Sequence, residues 1–506
     1  MESFTTLTKH RGAIYVSLAA NTAALLFGAD TGSIGAIVAL QSFRRDFGLL
    51  TSRATYADAS GTVVTLLNAG ALAGCLAPAL LGHKLGRRPI ISIAGVFFLV
   101  GGILQTAAHT SSLSMIYAGR TIAGFGIGIV SNTVPVFVAE CAPKHLRGVM
   151  VSAFDLFLVI GGIVGFFTAY GCAVHLSPVG SVQWRVSMCI QIPLAVVVIL
   201  SPWLLNESPR YFAKRGEWVK AVDSLCNLRG ASPDDIEIAL EIAEMRLQIE
   251  DQQGATQGRS IGELYSKGNR SRLLWGIAIS ALGISGGHNV ILYYGPQVFN
   301  QIGFTSQNSS LLGSGMILVV KLISIVLFML GPVQYMNRKV LLMSGTFLMG
   351  TCVFIFGALL KLYPPGVHGR TEKSASSKAM MAMIYIFQVG YSISWGPLLY
   401  VYVSEIFPTR TRDYGVMICT IVSWSMNLIL TKVGPIAILN IGYKTWMIFG
   451  TLNIVAMIMC FFLPETKNVS LEGMDVVFGS VEENIRKEAL EMKLGEKQFS
   501  VIKRDA

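Results

Sequence analysis

The chain has 506 residues, of which 52% are hydrophobic and only 14% are charged, and its net charge is +11. Soluble globular proteins carry roughly 25% charged residues, so this composition argues against a soluble enzyme, a disordered protein and a nucleic-acid-binding protein. A positive charge on so apolar a chain is instead expected of a membrane protein whose lysines and arginines face the cytoplasm.

Apolar stretches recur along the whole chain, and about 20 residues are enough to cross a bilayer as a helix. Twelve membrane spans are predicted in two groups of six, at about 14–40, 60–82, 89–108, 113–139, 149–171, 186–206, 272–300, 309–333, 339–362, 379–405, 413–437 and 443–464. The predicted fold class is therefore an all-α membrane protein with twelve transmembrane helices in two six-helix halves.

The remaining segments divide the chain into five parts. These are an N-terminal tail (1–13), a first six-helix half (14–206), a charged linker (207–271), a second half (272–464) and a C-terminal tail (465–506). Apolar residues at helical spacing in 233–252 predict short amphipathic helices in the linker. Most lysines and arginines fall on the side shared by the tails and the linker, which predicts that both termini are cytoplasmic. The first span is too long and too often interrupted by polar residues for a cleavable signal peptide.

Asp30, Arg120, Asp155 and Lys321 are charged residues in the interior of predicted spans. A charge in the bilayer costs at least about 2.5–3.5 kcal/mol, so it marks a pathway, a proton relay or an ion pair. Asp30 and Arg120 are natural partners, either as a static pair between helices or as a proton-carrying pair that separates during transport. Lys321 either extends its ammonium group to the membrane interface or serves a function together with Asp155. In the second case, Lys321 either forms an ion pair with Asp155 or binds a substrate carboxylate.

Two polar patterns recur at corresponding places in the two halves. GHKLGRR (82–88) follows the second span and QYMNRK (334–339) follows the eighth. AECAPKHLRG (139–148) follows the fourth span and SEIFPTRTR (404–412) follows the tenth, and each places an arginine seven residues after a glutamate. Repeated halves of six spans are typical of secondary transporters that bind their solute near the midplane, between the halves.

These stretches resemble the sugar porter family of the major facilitator superfamily. The supporting segments are LGHKLGRR (81–88), GRTIAGFGIG (119–128), PVFVAECAPKHLRG (135–148), NESPRYFAKRGE (206–217), GHNVILYYGPQVF (287–299), YVSEIFPTRTRDYG (402–415) and PETKNVSLEGMD (464–475). The WGP…YVSEIFPTRTRDYG stretch and the lysine of the eighth span look most like the fungal quinate-permease branch. The resemblance implies two pseudo-symmetric halves in the plasma membrane and alternating access by rocking.

The resemblance also implies roles for charged residues. Proton-coupled members of the family have Asp and Arg at the positions of Asp30 and Arg120, which implies proton symport. A gating network on the cytoplasmic side would comprise Arg87, Arg88, Glu140, Arg147, Glu207, Arg210, Glu405 and Arg412. Its ion pairs would hold the outward-open state and break when the carrier opens inward, unless these residues only anchor the helices at the interface.

The cavity residues point away from a neutral hexose. By resemblance, Asp155 and Lys321 face the central cavity, where sugar porters usually have Gln and Asn and quinate-type permeases have an acid and a lysine. Gly283 and Ile284 stand where hexose carriers have a Gln pair. The other substrate-binding candidates are Gln191, His288, Asn289, Tyr293, Tyr294, Trp395, Tyr400, Trp424 and Asn427, among which His288 has a purely structural role as its alternative.

The sequence therefore predicts a proton symporter of a small polyhydroxylated solute, either a sugar or a quinate-like hydroxy acid. Its partners are that solute, protons and the lipid bilayer. Alternatives are a facilitative uniporter or exporter and, from another class, a non-transporting nutrient sensor. No nucleophile–base or metal constellation is present, the glycines of 119–128 follow no strand, and GxxxxGK[ST] does not occur. We therefore expect no enzyme activity, cofactor, metal, nucleotide or nucleic acid.

Overall fold

The computed structural model describes residues 10–50, 53–255, 261–266, 269–304, 306–364, 374–408, 411–467, 469 and 474–478. Regular structure in these residues consists of helices. Eleven helices of the described part are long and apolar enough to cross a membrane. They correspond to eleven of the twelve predicted spans, and the tenth predicted span is covered by two shorter helices.

The first half contains spans one to six. Their helices are Arg11–Ala20 with Thr22–Ala39, Arg53–Gly74 with Leu76–Leu85, Arg87–Thr106, Ser114–Cys141, Arg147–His175, and Val182–Cys189 with Gln191–Leu200. A short helix, Gln41–Asp46, follows the first span, and a 3₁₀ turn, Ser201–Leu204, ends the sixth.

The linker contains the helices Pro209–Lys214, Trp218–Arg229 and Ile236–Ala255 and the 3₁₀ turn Ile261–Tyr265. The segment 233–252, for which short amphipathic helices are predicted, lies largely in the single 20-residue helix Ile236–Ala255. Its buried Ile238, Ile242 and Met245 pack against Leu225 of the preceding helix, so the linker is a folded unit. The side of the molecule on which the linker joins the two halves is called the linker face below, and the other side the far face.

The second half contains spans seven to twelve. Their helices are Asn269–Ser285 with His288–Tyr293 and Gly295–Gln301, Gln307–Leu330 with Pro332–Tyr335, Arg338–Leu362, Ala375–Ser392 with Trp395–Ile406, Arg412–Asn440 and Tyr443–Phe462. A last short helix, Met474–Val477, follows.

The tenth span is broken at Ile393 and Ser394, where the sequence predicts one continuous helix. Pro397 explains the break, because proline has no N–H and its ring clashes with the carbonyl four residues earlier, that of Ile393. The interruption lies inside the protein, since Ser394 is fully buried and its hydroxyl donates to the carbonyl of Gly390 at 2.6 Å. Buried hydrogen-bond partners of this kind make irregular backbone tolerable at membrane depth.

The two halves repeat the same packing. In the first half, the first span packs on the fifth, and the third span packs on the fourth and the sixth. In the second half, the seventh span packs on the eleventh, and the ninth span packs on the tenth and the twelfth. Between the halves, the fifth span packs on the eighth and the second packs on the eleventh. These two contacts are equivalent under the pseudo-symmetry, and they flank the space between the halves.

The glycines of 119–128 are helical and serve close packing, as the sequence predicts. A side chain at Gly124 would collide with the backbone carbonyl of Leu67, and one at Gly128 with that of Ala71, both in the second span. Small residues let membrane helices approach to backbone contact.

Candidate functional site

A cavity of about 90 Å³ lies between the halves. Eight of the predicted substrate-binding residues line it: Asp155, His288, Asn289, Tyr293, Lys321, Tyr400, Trp424 and Asn427. They come from the fifth span of the first half and from the seventh, eighth, tenth and eleventh spans of the second. The lining is completed largely by apolar and hydroxyl side chains, including Phe27, Thr31 and Ser131 of the first half.

The charged centre of the cavity is an ion pair between the halves. Lys321 Nζ of the eighth span donates to Asp155 Oδ1 of the fifth span at 3.0 Å, and both side chains are about 3% exposed. Lys321 therefore does not snorkel. The second carboxylate oxygen, Asp155 Oδ2, has no hydrogen-bond partner among the described residues. It lies against Gly396 of the tenth span, where an added Cβ would come within 2.7 Å of it.

An aromatic pair stands beside this ion pair. The rings of His288 and Tyr391 are stacked, with centroids 3.6 Å apart and planes inclined by 12°. Lys321 Nζ lies 5.3 Å from the centroid of the Tyr391 ring, within the range of a cation–π contact. Sequence reasoning missed Tyr391; the available signal was its position in the polar run GYSISWG, one helical turn before Trp395.

A chain of neutral side chains runs from the cavity toward the far face. Asn289 Nδ2 donates to Asn427 Oδ1 at 2.9 Å, and Asn427 Nδ2 donates to Asn68 Oδ1 at 3.4 Å. Asn68 Nδ2 in turn donates to Thr431 Oγ1 at 2.9 Å. These four residues, named the amide chain here, join the second span to the seventh and eleventh. Asn68 and Thr431 were not predicted, because a single polar residue in a span carries no sign of its partner.

Three predicted substrate-binding residues do not line the cavity. Tyr294 belongs to the far-face side, where its hydroxyl donates to the carbonyl of Thr431 at 2.6 Å. Trp395 is buried, and its Nε1 donates to Thr346 Oγ1 of the ninth span at 2.7 Å. Its ring fills the space beside Gly283, so the missing side chain at that position leaves no hole. Gln191 lies beside Asp30.

Asp30 and Arg120 form a second buried ion pair, away from the cavity lining. Arg120 Nη1 donates to Asp30 Oδ1 at 2.6 Å, and neither side chain is exposed. Arg120 Nε also donates to the carbonyl of Val63 at 3.2 Å. Both residues belong to the first half, so rocking of the halves as rigid bodies does not separate them.

Ion pairs join the halves at the linker face. Arg87 Nη2 contacts Glu140 Oε1 at 3.1 Å and Asp413 Oδ1 at 2.6 Å, and Arg412 Nη1 lies 3.6 Å from Glu140 Oε1. Lys214 of the linker reaches Asp413 Oδ2 at 3.4 Å. Asp413 was not predicted, although it directly follows Arg412 in the sequence. With Arg87 and Glu140 in the first half and Arg412 and Asp413 in the second, these contacts join the two halves at the linker face.

The other predicted gating residues support this cluster from within their own regions. Glu207 accepts hydrogen bonds from the backbone N–H groups of Arg87 and Arg88. Arg88 donates to the carbonyls of Pro202 and Trp203 and so stays within the first half. Arg210 is buried in the first helix of the linker.

The corresponding contacts of the second half are weaker. Glu405 faces Arg338 at 3.8 Å, accepts from Thr466 Oγ1 at 3.2 Å and interacts electrostatically with Arg147 of the first half. Arg147 donates to the carbonyl of Val469, beyond the twelfth span, at 3.3 Å.

Burial shapes the electrostatics of the linker face outside the spans. It raises the pKa of Glu207 above its usual value, although the backbone N–H donors of Ser208, Arg88 and Arg87 act in the opposite direction. Burial likewise lowers the pKa of Lys214, with Asp413 opposing that shift. Desolvation penalises the charged form of both side chains, so their charges persist here only through their partners.

The described residues contain no group of three or more His, Cys, Asp or Glu side chains placed to hold a metal ion. The chemistry available in the cavity is therefore that of one ammonium group, one carboxylate, amides, hydroxyls and aromatic rings. That set can bind a solute with both a charged group and several hydroxyls.

Comparison with known proteins identifies the relatives of this chain. The sequence model described as "Sugar (and other) transporter" matches residues 16–478. The quinate permease of Emericella nidulans is 31% identical over 461 residues, which cover 90% of this chain and 86% of the relative. A probable quinate permease of Neosartorya fischeri is 30% identical over 463 residues, covering 90% of this chain and 85% of the relative.

Solved structures share the fold. The proton:xylose symporter XylE bound to 6-bromo-6-deoxy-D-glucose superposes with a TM-score of 0.79 at 23% sequence identity, covering 93% of this chain and all of the other. The inward-open form of XylE from E. coli superposes with a TM-score of 0.67 at 23% identity, covering 92% of this chain and 99% of the other.

Proposed function

The chain belongs to the sugar transporter family of the major facilitator superfamily, and on that premise we propose that it carries small polyhydroxylated carboxylic acids together with protons. Quinate is the model substrate. As a member of this family the chain is an integral, multi-pass membrane protein. We further propose that it lies in the plasma membrane with the linker face and both termini in the cytoplasm.

The observation that carries the proposal is the Lys321–Asp155 pair in the cavity. A lysine with its ammonium group deep between the halves is costly in a membrane protein, so a function has to maintain it. Lysine has three N–H donors, and Asp155 is its one hydrogen-bond partner among the described residues. The remaining donors suit a carboxylate, and the names of the 30% identical relatives supply a molecule that carries one.

The rest of the lining suits a hydroxylated ring. Asn289 and Asn427 offer amide groups to hydroxyls, and the rings of Tyr400, Trp424 and Phe27 provide flat apolar faces. Amides with hydrogen bonds to particular hydroxyls discriminate strongly, because a ligand lacking them leaves buried polar groups unsatisfied. Recognition by one cation, two amides and aromatic faces describes a hydroxy acid better than a hexose.

Proton coupling is proposed from the buried Asp30–Arg120 pair. A carboxylate fully removed from water needs its cation or a proton, and movement of either partner changes which of the two it holds. Because both residues lie in the first half, release of the proton requires a rearrangement between the first and fourth spans. Gln191, beside Asp30, is the neighbour placed to take part in it.

Uptake of labelled quinate, galacturonate, hexoses and pentoses in a host lacking its own carriers, at two external pH values, tests the proposal. We expect quinate to accumulate, more at the lower pH, and to be displaced poorly by glucose. Accumulation of hexoses without quinate would refute the substrate class.

An Asp30→Asn variant tests the coupling. We expect it to lose uphill accumulation of quinate and to retain exchange of labelled for unlabelled solute across the membrane, because exchange needs no net proton movement. Accumulation equal to that of the unchanged chain would refute a coupling role for Asp30.

A further inference from the structure

The charge of the cavity poses a problem for an anionic substrate. Lys321 and Asp155 neutralise one another at 3.0 Å, so a carboxylate that joins them adds one uncompensated negative charge to a buried site. Lys321 is the sole lysine or arginine among the described residues of the lining. An uncompensated buried charge is strongly unfavourable, so the site needs one more positive charge when it is loaded.

The groups around Asp155 restrict where that charge can go. Lys321 faces it from the eighth span, and Tyr391 and Tyr400 lie near it in the tenth. His288 of the seventh span is stacked on Tyr391 and feels the charge of Lys321, and Tyr293 of that span lines the same cavity. Arg120 is held by Asp30. The carboxylate of Asp155 is thus the negative group of the cavity that a proton can neutralise.

Resting on the proposed function, we infer that the substrate's carboxylate replaces Asp155 on Lys321 and that the displaced Asp155 carries a co-transported proton. One O–H bond forms on the Asp155 carboxylate, and the lysine keeps its ammonium form throughout. The loaded site holds one ammonium, one substrate carboxylate and one neutral carboxyl group, so it has the same net charge as the empty site.

The surroundings of Asp155 fit this exchange. Its Oδ2 has no hydrogen-bond partner in the described structure and lies against Gly396, which has no side chain to block it. The carboxyl group therefore has one buried oxygen that no described donor holds, and this oxygen fits against the backbone at Gly396. In the empty carrier, Asp155 occupies the position on the ammonium group that a substrate carboxylate requires, so it acts as a tethered competitor.

The exchange also links loading to movement. The pair joins the fifth span of the first half to the eighth span of the second half. When a substrate carboxylate takes over Lys321, the direct ionic contact between the halves is replaced by one through the solute. Gly396 is the second residue of the helix that follows the break in the tenth span, so the backbone around it does not belong to one continuous helix.

Proton uptake on binding tests the inference with the purified full-length carrier. Titration calorimetry in two buffers of different ionisation enthalpy measures the protons taken up with quinate and with the neutral cyclitol myo-inositol. We expect about one proton per quinate and none per inositol, because only the anion changes the charge of the site. Quinate binding without proton uptake would overturn the inference and leave the proposed substrate class standing.

Two variants assign the proton to its residue. Asp155→Asn is expected to bind quinate without proton uptake and roughly tenfold more tightly, because the competing carboxylate is gone. Asp30→Asn is expected to keep the proton uptake that accompanies binding. Proton uptake that persists in Asp155→Asn, or that disappears in Asp30→Asn, would overturn the assignment, as would an Asp155→Asn affinity for quinate as weak as that of Lys321→Asn.

The conservative variant guards against a folding defect. Asp155→Glu retains a carboxylate and is expected to keep both quinate binding and the coupled proton. If Asp155→Asn does not fold, the comparison of the unchanged chain, Asp30→Asn and Asp155→Glu still decides the assignment. If the unchanged chain binds inositol or hexoses and not quinate, both this inference and the proposed substrate class are wrong.

Discussion

Two contacts between the halves occupy equivalent positions in the pseudo-symmetric fold and are built from different chemistry. Where the fifth span meets the eighth, the central contact is an ion pair, Asp155 to Lys321, buried on both sides. Where the second span meets the eleventh, the central contact is neutral, with Asn68 bonded to Thr431 and Asn427. Charged side chains of this second contact meet near the far face, where Lys432 lies 2.9 Å from Asp58 on exposed side chains.

The difference shows which part of a solute each contact can sense. A carboxylate of the solute competes with Asp155 for the ammonium group of Lys321. A hydroxyl of the solute competes for the amide groups of Asn289 and Asn427, which are hydrogen-bonded to each other. A hydroxylated acid disturbs both contacts at once, whereas a neutral sugar disturbs the amide contact alone. We expect the two contacts to respond separately to substitutions. Lys321→Asn, Asn68→Ala and Lys432→Met test this, and Asp413→Asn tests the linker face; the four variants are ordered from the largest expected effect to the smallest.

Lys321→Asn removes the positive charge from the contact between the fifth and eighth spans and leaves its negative charge in place. It leaves Asp155 buried without its cation, which we expect to cost about 3–5 kcal/mol in the free energy of unfolding. Unfolding of the purified carrier by SDS titration measures that loss. The double variant Asp155→Asn/Lys321→Asn should recover most of it, because no buried charge remains; a double variant as unstable as the single one would contradict this account. Quinate binding should be lost in both.

Asp413→Asn weakens the closure of the linker face. The variant removes the charged partner of Arg87 and Lys214, and hydrogen bonds to charged groups contribute about 1.5–3 kcal/mol. We expect faster maleimide labelling of a cysteine placed at Ser404, which lines the cavity, when the reagent is added from the linker face. Glu241→Gln is the control, because its pair with Arg229 lies outside the contact between the halves. Equal labelling rates would show that Asp413 does not hold this face closed.

Asn68→Ala breaks the amide chain at its middle. Each hydrogen bond lost is worth about 0.5–1.5 kcal/mol, so we expect a modest loss of stability and a several-fold loss of solute affinity. The loss should be the same for quinate and for inositol, since the amide chain reads hydroxyls and not charge. Calorimetric affinities for both ligands provide the measurement, and a change in their ratio would mean that the two contacts are not independent.

Lys432→Met removes the exposed ion pair of the same contact. The side chains of Lys432 and Asp58 are 42% and 75% exposed, and such pairs contribute about 0–1 kcal/mol. We expect SDS unfolding and quinate affinity to stay close to those of the unchanged chain at 0.15 M salt. A loss comparable to that of Asn68→Ala would show that this surface pair, and not the amide chain, holds the second and eleventh spans together.

Much of the fold was predictable because the bilayer imposes a length and a polarity on each span. Long apolar segments predicted eleven spans that the structure has as long helices, and the tenth span differs because Pro397 breaks its helix into two. The charged residues inside the spans were equally visible, because each is an expensive exception in an apolar segment. Asp30, Arg120, Asp155 and Lys321 were found on that ground alone.

The members of the site that escaped prediction have no such local signal. Asn68, Thr431 and Tyr391 are ordinary polar or aromatic residues in helical segments, and they matter because of partners on other helices. Asp413 stands in a recurring motif and still was not assigned, because its partner Arg87 lies more than 300 residues earlier. Trp395 is the opposite case. It was predicted to bind substrate, and its side chain instead contacts Thr346 of the ninth span.

By itself, the sequence determined that this protein spans a membrane with two related halves and that four charges are buried within them. It also made Asp30 and Arg120 natural partners and left open whether Asp155 pairs with Lys321. The tertiary structure decided that Asp30 meets Arg120 inside one half and that Asp155 meets Lys321 between the halves. The physical reason is that the cost of burying a charge depends on the residue and the depth of its helix, which a sequence reveals. Relief of that cost depends on which helix faces which, and only the packed halves determine that.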